Sequence, residues 1–133
     1  MSHFTNVETQ INDLVALKAA LADLELEFEE ASENQLVKVR GWKGSTLNAE
    51  AKIKGSKSYD IGLQLTENGT YKLVADWWGI EEETHETQEA IMQKVTVCYA
   101  KHKVKAEVAK QGFTVDEEIV EADGTIKIGV SKW

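Results

Sequence analysis

At 133 residues the chain fits one domain, residues 1–133, able to bury roughly two-thirds of the surface its unfolded form exposes, so a core needs neither disulfides nor a structural metal. Its 42% hydrophobic and 29% charged residues exclude the disordered and collagen-like classes. The formal charge of −8 argues against general nucleic-acid affinity, which depends on cationic side chains that release phosphate counterions. The lone cysteine, Cys98, forms no internal disulfide, no basic and apolar leader precedes Phe4, and no apolar run approaches the ~20 residues of a membrane span. A cytoplasmic or plastid-stromal protein is expected.

Taken in order, His3 to Gln10 alternates as a strand, and Asn12 is placed to cap a helix whose apolar stripe is Leu14, Leu17, Leu21 and Leu24. An acidic connection runs from Glu25 to Asn34. Val37 and Val39 then alternate with Lys38 and Arg40, and Ala49, Ala51 and Ile53 alternate with Glu50, Lys52 and Lys54, which predicts two strands. Tyr59, Ile61, Leu63 and Leu65 match Tyr71, Leu73, Ala75 and Trp77 as the two sides of a hairpin. Parity fixes its loop: putting both apolar sets on one face requires odd residues to oppose odd ones, hence a three-residue loop of Glu67, Asn68 and Gly69 with the glycine left-handed. Leu65 is then expected opposite Tyr71, and Asp60 opposite Asp76.

A long helix is predicted over residues 88–110, with Ile91, Val95, Tyr99, His102, Ala106 and Ala109 near one stripe and Gly112 as terminator. A last hairpin turns at Asp123 and Gly124, with a two-residue loop that pairs Ile119 with Ile128 and leaves Glu117 as a misfit. The expected fold is α+β and two-layered. A mainly antiparallel sheet carries two helices on one face, in the order β-α-β-β-β-β-α-β-β, and its other face is left wet and charged.

Charge is segregated along the chain. Residues 38–57 hold Lys38, Arg40, Lys43, Lys52, Lys54 and Lys57 against Glu50, whereas residues 81–89 hold Glu81, Glu82, Glu83, Glu86 and Glu89 with no cation.

Several short segments carry a family resemblance: Met-Ser-His-Phe at 1–4, Tyr-Asp-Ile-Gly at 59–62, Leu-Val-Ala-Asp at 73–76, Tyr-Ala-Lys-His at 99–102, Gln-Gly-Phe at 111–113, Asp-Gly-Thr-Ile at 123–126 and the terminal Lys132-Trp133. In this order and spacing the chain resembles the hypothetical chloroplast reading frame thirty-five family, small proteins of cyanobacteria and algal plastids with a domain of unknown function. The resemblance implies a cyanobacterial, plastid or cyanophage origin and a small accessory protein, with no catalytic residues to transfer. The chain departs from the family in its acidic connection over residues 26–34, and in Trp77-Trp78-Gly79 where a longer aromatic stretch is usual.

The candidate chemistry is sparse. Like charges directly opposed across strands, as expected for Asp60 and Asp76, call for a metal or ligand cation, a lysine from a neighbouring strand, or splaying near the hairpin's open end. His3, His85 and His102 are too scattered for a zinc pattern, so His102 reads as a structural histidine of the helix stripe and Cys98 as a packed, inert thiol. Asn68-Gly69-Thr70 reads as hairpin loop rather than glycosylation acceptor, and Gly55-Ser56-Lys57-Ser58 lacks the spacing of a phosphate loop. Trp42, Trp78 and Trp133 are candidate partner anchors beside the basic residues Lys38, Arg40, Lys52 and Lys54.

The reading that follows is a protein–protein interaction module without catalytic activity or cofactor. Its alternative is recognition of an anionic ligand or single-stranded nucleic acid by the basic stripe, with tryptophan stacking. An enzyme or metal site at Asp60 and Asp76 ranks third.

Overall fold

The computed structural model describes residues 3–132. Its centre is a five-stranded antiparallel sheet in the spatial order β1 (Thr5–Val7), β7 (Tyr71–Ala75), β6 (Asp60–Leu65), β5 (Ala51–Lys54) and β2 (Phe28–Glu30). Two helices, α1 (Leu14–Asp23) and α3 (Gln88–Lys110), cover one face. Period two sends Ile53, Ile61, Leu63, Leu73 and Ala75 into that layer, where they meet Leu17, Ala20 and Leu21 of α1 and Ile91, Val95, Cys98 and Tyr99 of α3. The α+β class and the helical lid over an antiparallel sheet are as expected.

Local chemistry sets the element ends. Asp13, one residue beyond the expected Asn12, caps α1 by accepting from the backbone of Val15 and Ala16 at 3.0 and 3.2 Å. Asn12 is instead taken up by Tyr99, whose hydroxyl accepts from the Asn12 and Asp13 N–H groups and donates to Asn12 Oδ1, tying the start of α1 to α3. The β6–β7 loop closes as parity requires. Leu65 opposes Tyr71, Thr66 N–H reaches Thr70 O at 2.8 Å, and Gly69 has φ +83°.

Five features differ from expectation. The acidic connection contains β2, which pairs through Phe28 with Ile53 and through Glu29 with Lys52. The 49–54 strand breaks at Glu50, its two halves joining different sheets: Thr46–Ala49 (β4) pairs with Val37–Arg40 (β3) in a separate ribbon, while β5 stays in the main sheet. Trp77 does not extend β7 but opens the short helix α2 (Trp77–Thr84), capped by Asp76. The final hairpin, β8 (Phe113–Val120) with β9 (Ile126–Lys132), has an irregularity between Val115 and Glu117, and its loop closes between Glu121 and Thr125. Val120 therefore opposes Ile126 and Glu118 opposes Ile128, in place of the Ile119–Ile128 pairing.

The fifth difference matters most for function: the reverse face of the sheet is not bare. The β3–β4 ribbon lies on it, with Val37, Val39 and Ala49 buried beside Phe4, Ala31 and Leu47. Gly62 makes room for it, since a Cβ there would sit 2.7 Å from Val39 Cγ2. A glycine in mid-strand is thus the seat for a valine from the covering layer.

Candidate functional site

Covering the reverse face concentrates its charges. Asp60 begins β6 and is 2% exposed, although sequence parity assigned it to open solvent. The Arg40 fork clasps it, with Nε donating to Oδ2 at 3.0 Å and Nη2 to Oδ1 at 2.9 Å, and the Arg40 backbone N–H adds a third bond to Oδ2 at 2.9 Å. Lys52 Nζ donates to the same Oδ2 at 3.2 Å and to Lys38 O at 2.9 Å. Arg40 Nη1 reaches Lys57 O at 3.0 Å. Burial pushes the Asp60 pKa up, but the hydrogen bonds from Arg40, then those from Lys52, hold it below the usual carboxylate range. The cluster pins β3 to the main sheet, beside a mixed-charge cavity of about 280 Å³ that Phe28 also lines.

Asp76, expected to face Asp60, has other work. The β6–β7 ladder ends at Gly62 and Val74, beyond which Asp76 leaves the strand and caps α2, accepting from Gly79 N–H at 3.0 Å. It is 1% exposed. The strand ladder therefore does not set the two carboxylates opposite each other: Asp60 is compensated by Arg40 and Lys52, and Asp76 caps α2. The signal for the Arg40–Asp60 clasp was present in the sequence, because the same parity that exposed Asp60 set it on one face with Lys38, Arg40 and Lys52.

The basic stripe is largely self-neutralised. Arg40 and Lys52 serve Asp60, and Lys54 pairs with Glu27 at 3.6 Å. Lys38, exposed on β3, has no carboxylate partner among the described residues. The acidic segment folds toward the basic one, Glu83 accepting from Ser58 N–H at 3.0 Å and from Ser56 Oγ, bonds that lower its pKa.

The tryptophans divide by environment. Trp77 is buried and its indole donates to Thr5 O at 3.1 Å, while its neighbour Trp78 is 54% exposed. Trp42 is 41% exposed in a 3-10 turn between β3 and β4, with Lys43 Nζ 4.5 Å from its ring centre. Gly41, the preceding residue, packs so closely on the Phe4 ring that a Cβ would meet it at 2.4 Å. Trp42 and Trp78 thus follow residues that contact the consecutive positions Phe4 and Thr5. Trp133 lies outside the described residues.

Across the molecule, on the helical side, His102 Nε2 lies 2.6 Å from Asp23 Oδ2, and Cys98 Sγ lies 3.7 Å from the same oxygen. His102 is half-buried and Cys98 buried. Sequence reading singled out both without Asp23, which only the packing of α1 on α3 brings to them. Their spacing of four on one helix was the available signal.

Comparison with known sequences gives a consistent picture. The family described as "Protein of unknown function (DUF1257)" matches residues 20–129. The chain is 32% identical over 135 residues to "Uncharacterized protein ycf35" of Cyanophora paradoxa and 33% identical over 139 residues to that of Pyropia yezoensis, in each case covering 100% of this chain and 98% of the relative. No solved structure matches.

Proposed function

The chain belongs to the DUF1257 family, and from that premise we propose that it is a non-catalytic accessory module that binds a protein partner through Trp42 and Trp78. What carries this reading is the pairing of two half-exposed indoles with the same N-terminal segment, through Gly41 on Phe4 and Trp77 on Thr5. Indoles supply large contact area at low entropic cost and are enriched among the residues that dominate interfaces.

The turn that presents Trp42 is also specialised. Lys43 has φ +51° and Gly44 φ +78°, and a left-handed lysine costs about 1 kcal/mol that the surrounding fold must offset. With Lys43 stacked over the ring, the indole is held before any partner arrives. No helix among the described residues is long and apolar enough to cross a membrane.

Affinity capture from source-cell lysate, using the full chain and the Trp42→Ala/Trp78→Ala double variant in parallel, tests the proposal. A stoichiometric partner retained by the wild type at high salt and lost by the folded double variant is expected. Identical captures by both chains would overturn it. Capture that disappears with added salt would instead point to an anionic ligand on Lys38 and its neighbours, where counterion release dominates.

A further inference from the structure

We infer that Asp23, Cys98 and His102 form a binding site for a zinc-class divalent ion, with carboxylate, thiolate and imidazole as three ligands and solvent as the fourth. Cys98 and His102 are four residues apart and so share one side of α3, and Asp23 is the last residue of α1. The donor atoms Oδ2, Sγ and Nε2 all lie within 4.8 Å of one another.

Zinc bonds of about 2.0–2.3 Å arranged tetrahedrally place neighbouring ligand atoms roughly 3.4–3.6 Å apart. The Cys98–Asp23 edge, at 3.7 Å, already has this length. The Asp23–His102 edge, at 2.6 Å, is a hydrogen bond that must open by roughly 0.8 Å to reach the tetrahedral spacing. Asp23 has the freedom to do so, its side chain being 46% exposed. A mixed sulfur, nitrogen and oxygen set suits a borderline transition-metal ion rather than magnesium or calcium, which take oxygen ligands.

The charges around the site fit an exchange of cations. Lys101 Nζ sits 3.6 Å from Asp23 Oδ2, where an arriving ion would repel it, but the same ammonium is 3.2 Å from Glu118 Oε1. It therefore gives up Asp23 without losing its carboxylate, in company with Lys105, which is 2.9 Å from Glu118 Oε2. Binding displaces the Cys98 thiol proton to solvent, one proton for each metal–sulfur bond formed, and the Nε2 proton that His102 donates to Asp23 is released to solvent or replaced by the Nδ1–H tautomer, freeing the Nε2 lone pair for the ion. Asp23 is held low, first by its hydrogen bond with His102, and is already a carboxylate when the ion arrives.

Titration of cobalt(II) into the reduced full chain tests the site. A near-ultraviolet thiolate-to-cobalt charge-transfer band is expected, with the strong visible absorption of four-coordinate cobalt, both removed by zinc(II) and both strengthening as pH rises. Because Cys98 is the single cysteine, the band reports that residue, and the deciding variants are Asp23→Asn and His102→Gln. Each should weaken cobalt binding at least about tenfold, whereas His85→Ala should leave it unchanged. No charge-transfer band in the wild type, or an affinity that neither deciding variant moves while far-UV circular dichroism reports a native fold, would overturn the inference.

Discussion

The β3–β4 and β8–β9 ribbons are built alike, two alternating strands joined by a tight connection, yet they end in opposite circumstances. The first lies on the main sheet with Val39 seated over Gly62 and Asp60 clasped by Arg40. The second leans on α3, held by the ion pairs of Glu118 with Lys101 and Lys105, and leaves Ile119, Val120 and Val130 exposed. Alternation announces that a strand has an apolar side. It does not say what covers that side, and an isolated two-stranded ribbon is at best marginally stable in water. Of the two ribbons, the first should therefore contribute more to stability.

The comparison breaks most readily at Asp60. Asp60→Ala strips Arg40 and Lys52 of their shared carboxylate and should lower unfolding free energy by about 3 kcal/mol, read by denaturant titration. A loss under ~1 kcal/mol would mean that the clasp contributes little to holding the ribbon.

Next in size is Val39→Ala, which empties the seat above Gly62 and should cost about 2 kcal/mol by the same titration. Acid sharpens the picture further. The folded pKa of Asp60 lies below its unfolded value, so its stabilisation is present above the ordinary carboxylate pKa and disappears as pH falls through the lower, folded one. Thermal melts from neutral pH down through this acid range should show a drop that Asp60→Asn reduces; an unchanged acid limb would remove Asp60 as its source.

The smallest effect belongs to the second ribbon. Val120 is already exposed, so Val120→Ala should change stability by no more than about 0.5 kcal/mol. In hydrogen exchange, the amides of residues 113–132 should lose protection well before those of β6. Simultaneous exchange of the two would show that the ribbons belong to one cooperative unit.

Elements whose reasons are local were legible before any coordinates. The bounds of α3 follow from its apolar stripe and from Gly112, which has φ +84°, and the β6–β7 loop from parity alone. Most of the misread elements involve partners distant in sequence. Trp77 alternates correctly for a strand but opens α2, which Asp76 caps through Gly79 N–H, and its indole reaches Thr5 O, more than seventy residues away. Glu50 interrupts an unbroken period-two pattern because the strands on its two sides serve different layers. The candidate sites divide in the same way: the residues of the Arg40–Asp60 clasp shared one parity in the sequence, whereas the meeting of Asp23 with Cys98 and His102 depends on the packing of α1 on α3.

By itself, then, the sequence determined the class of fold, the helical lid, the main hairpin register and the segregation of charge along the chain. These depend on spacings of two and 3.6 residues, which any short window contains. Only the tertiary structure decided that the sheet's second face is covered, that Asp60 is buried and compensated, and that a helix end supplies Asp23 to a cysteine and a histidine. Each of these depends on contacts between segments far apart in the chain, whose pairing is selected by packing the whole core at once rather than by any local preference.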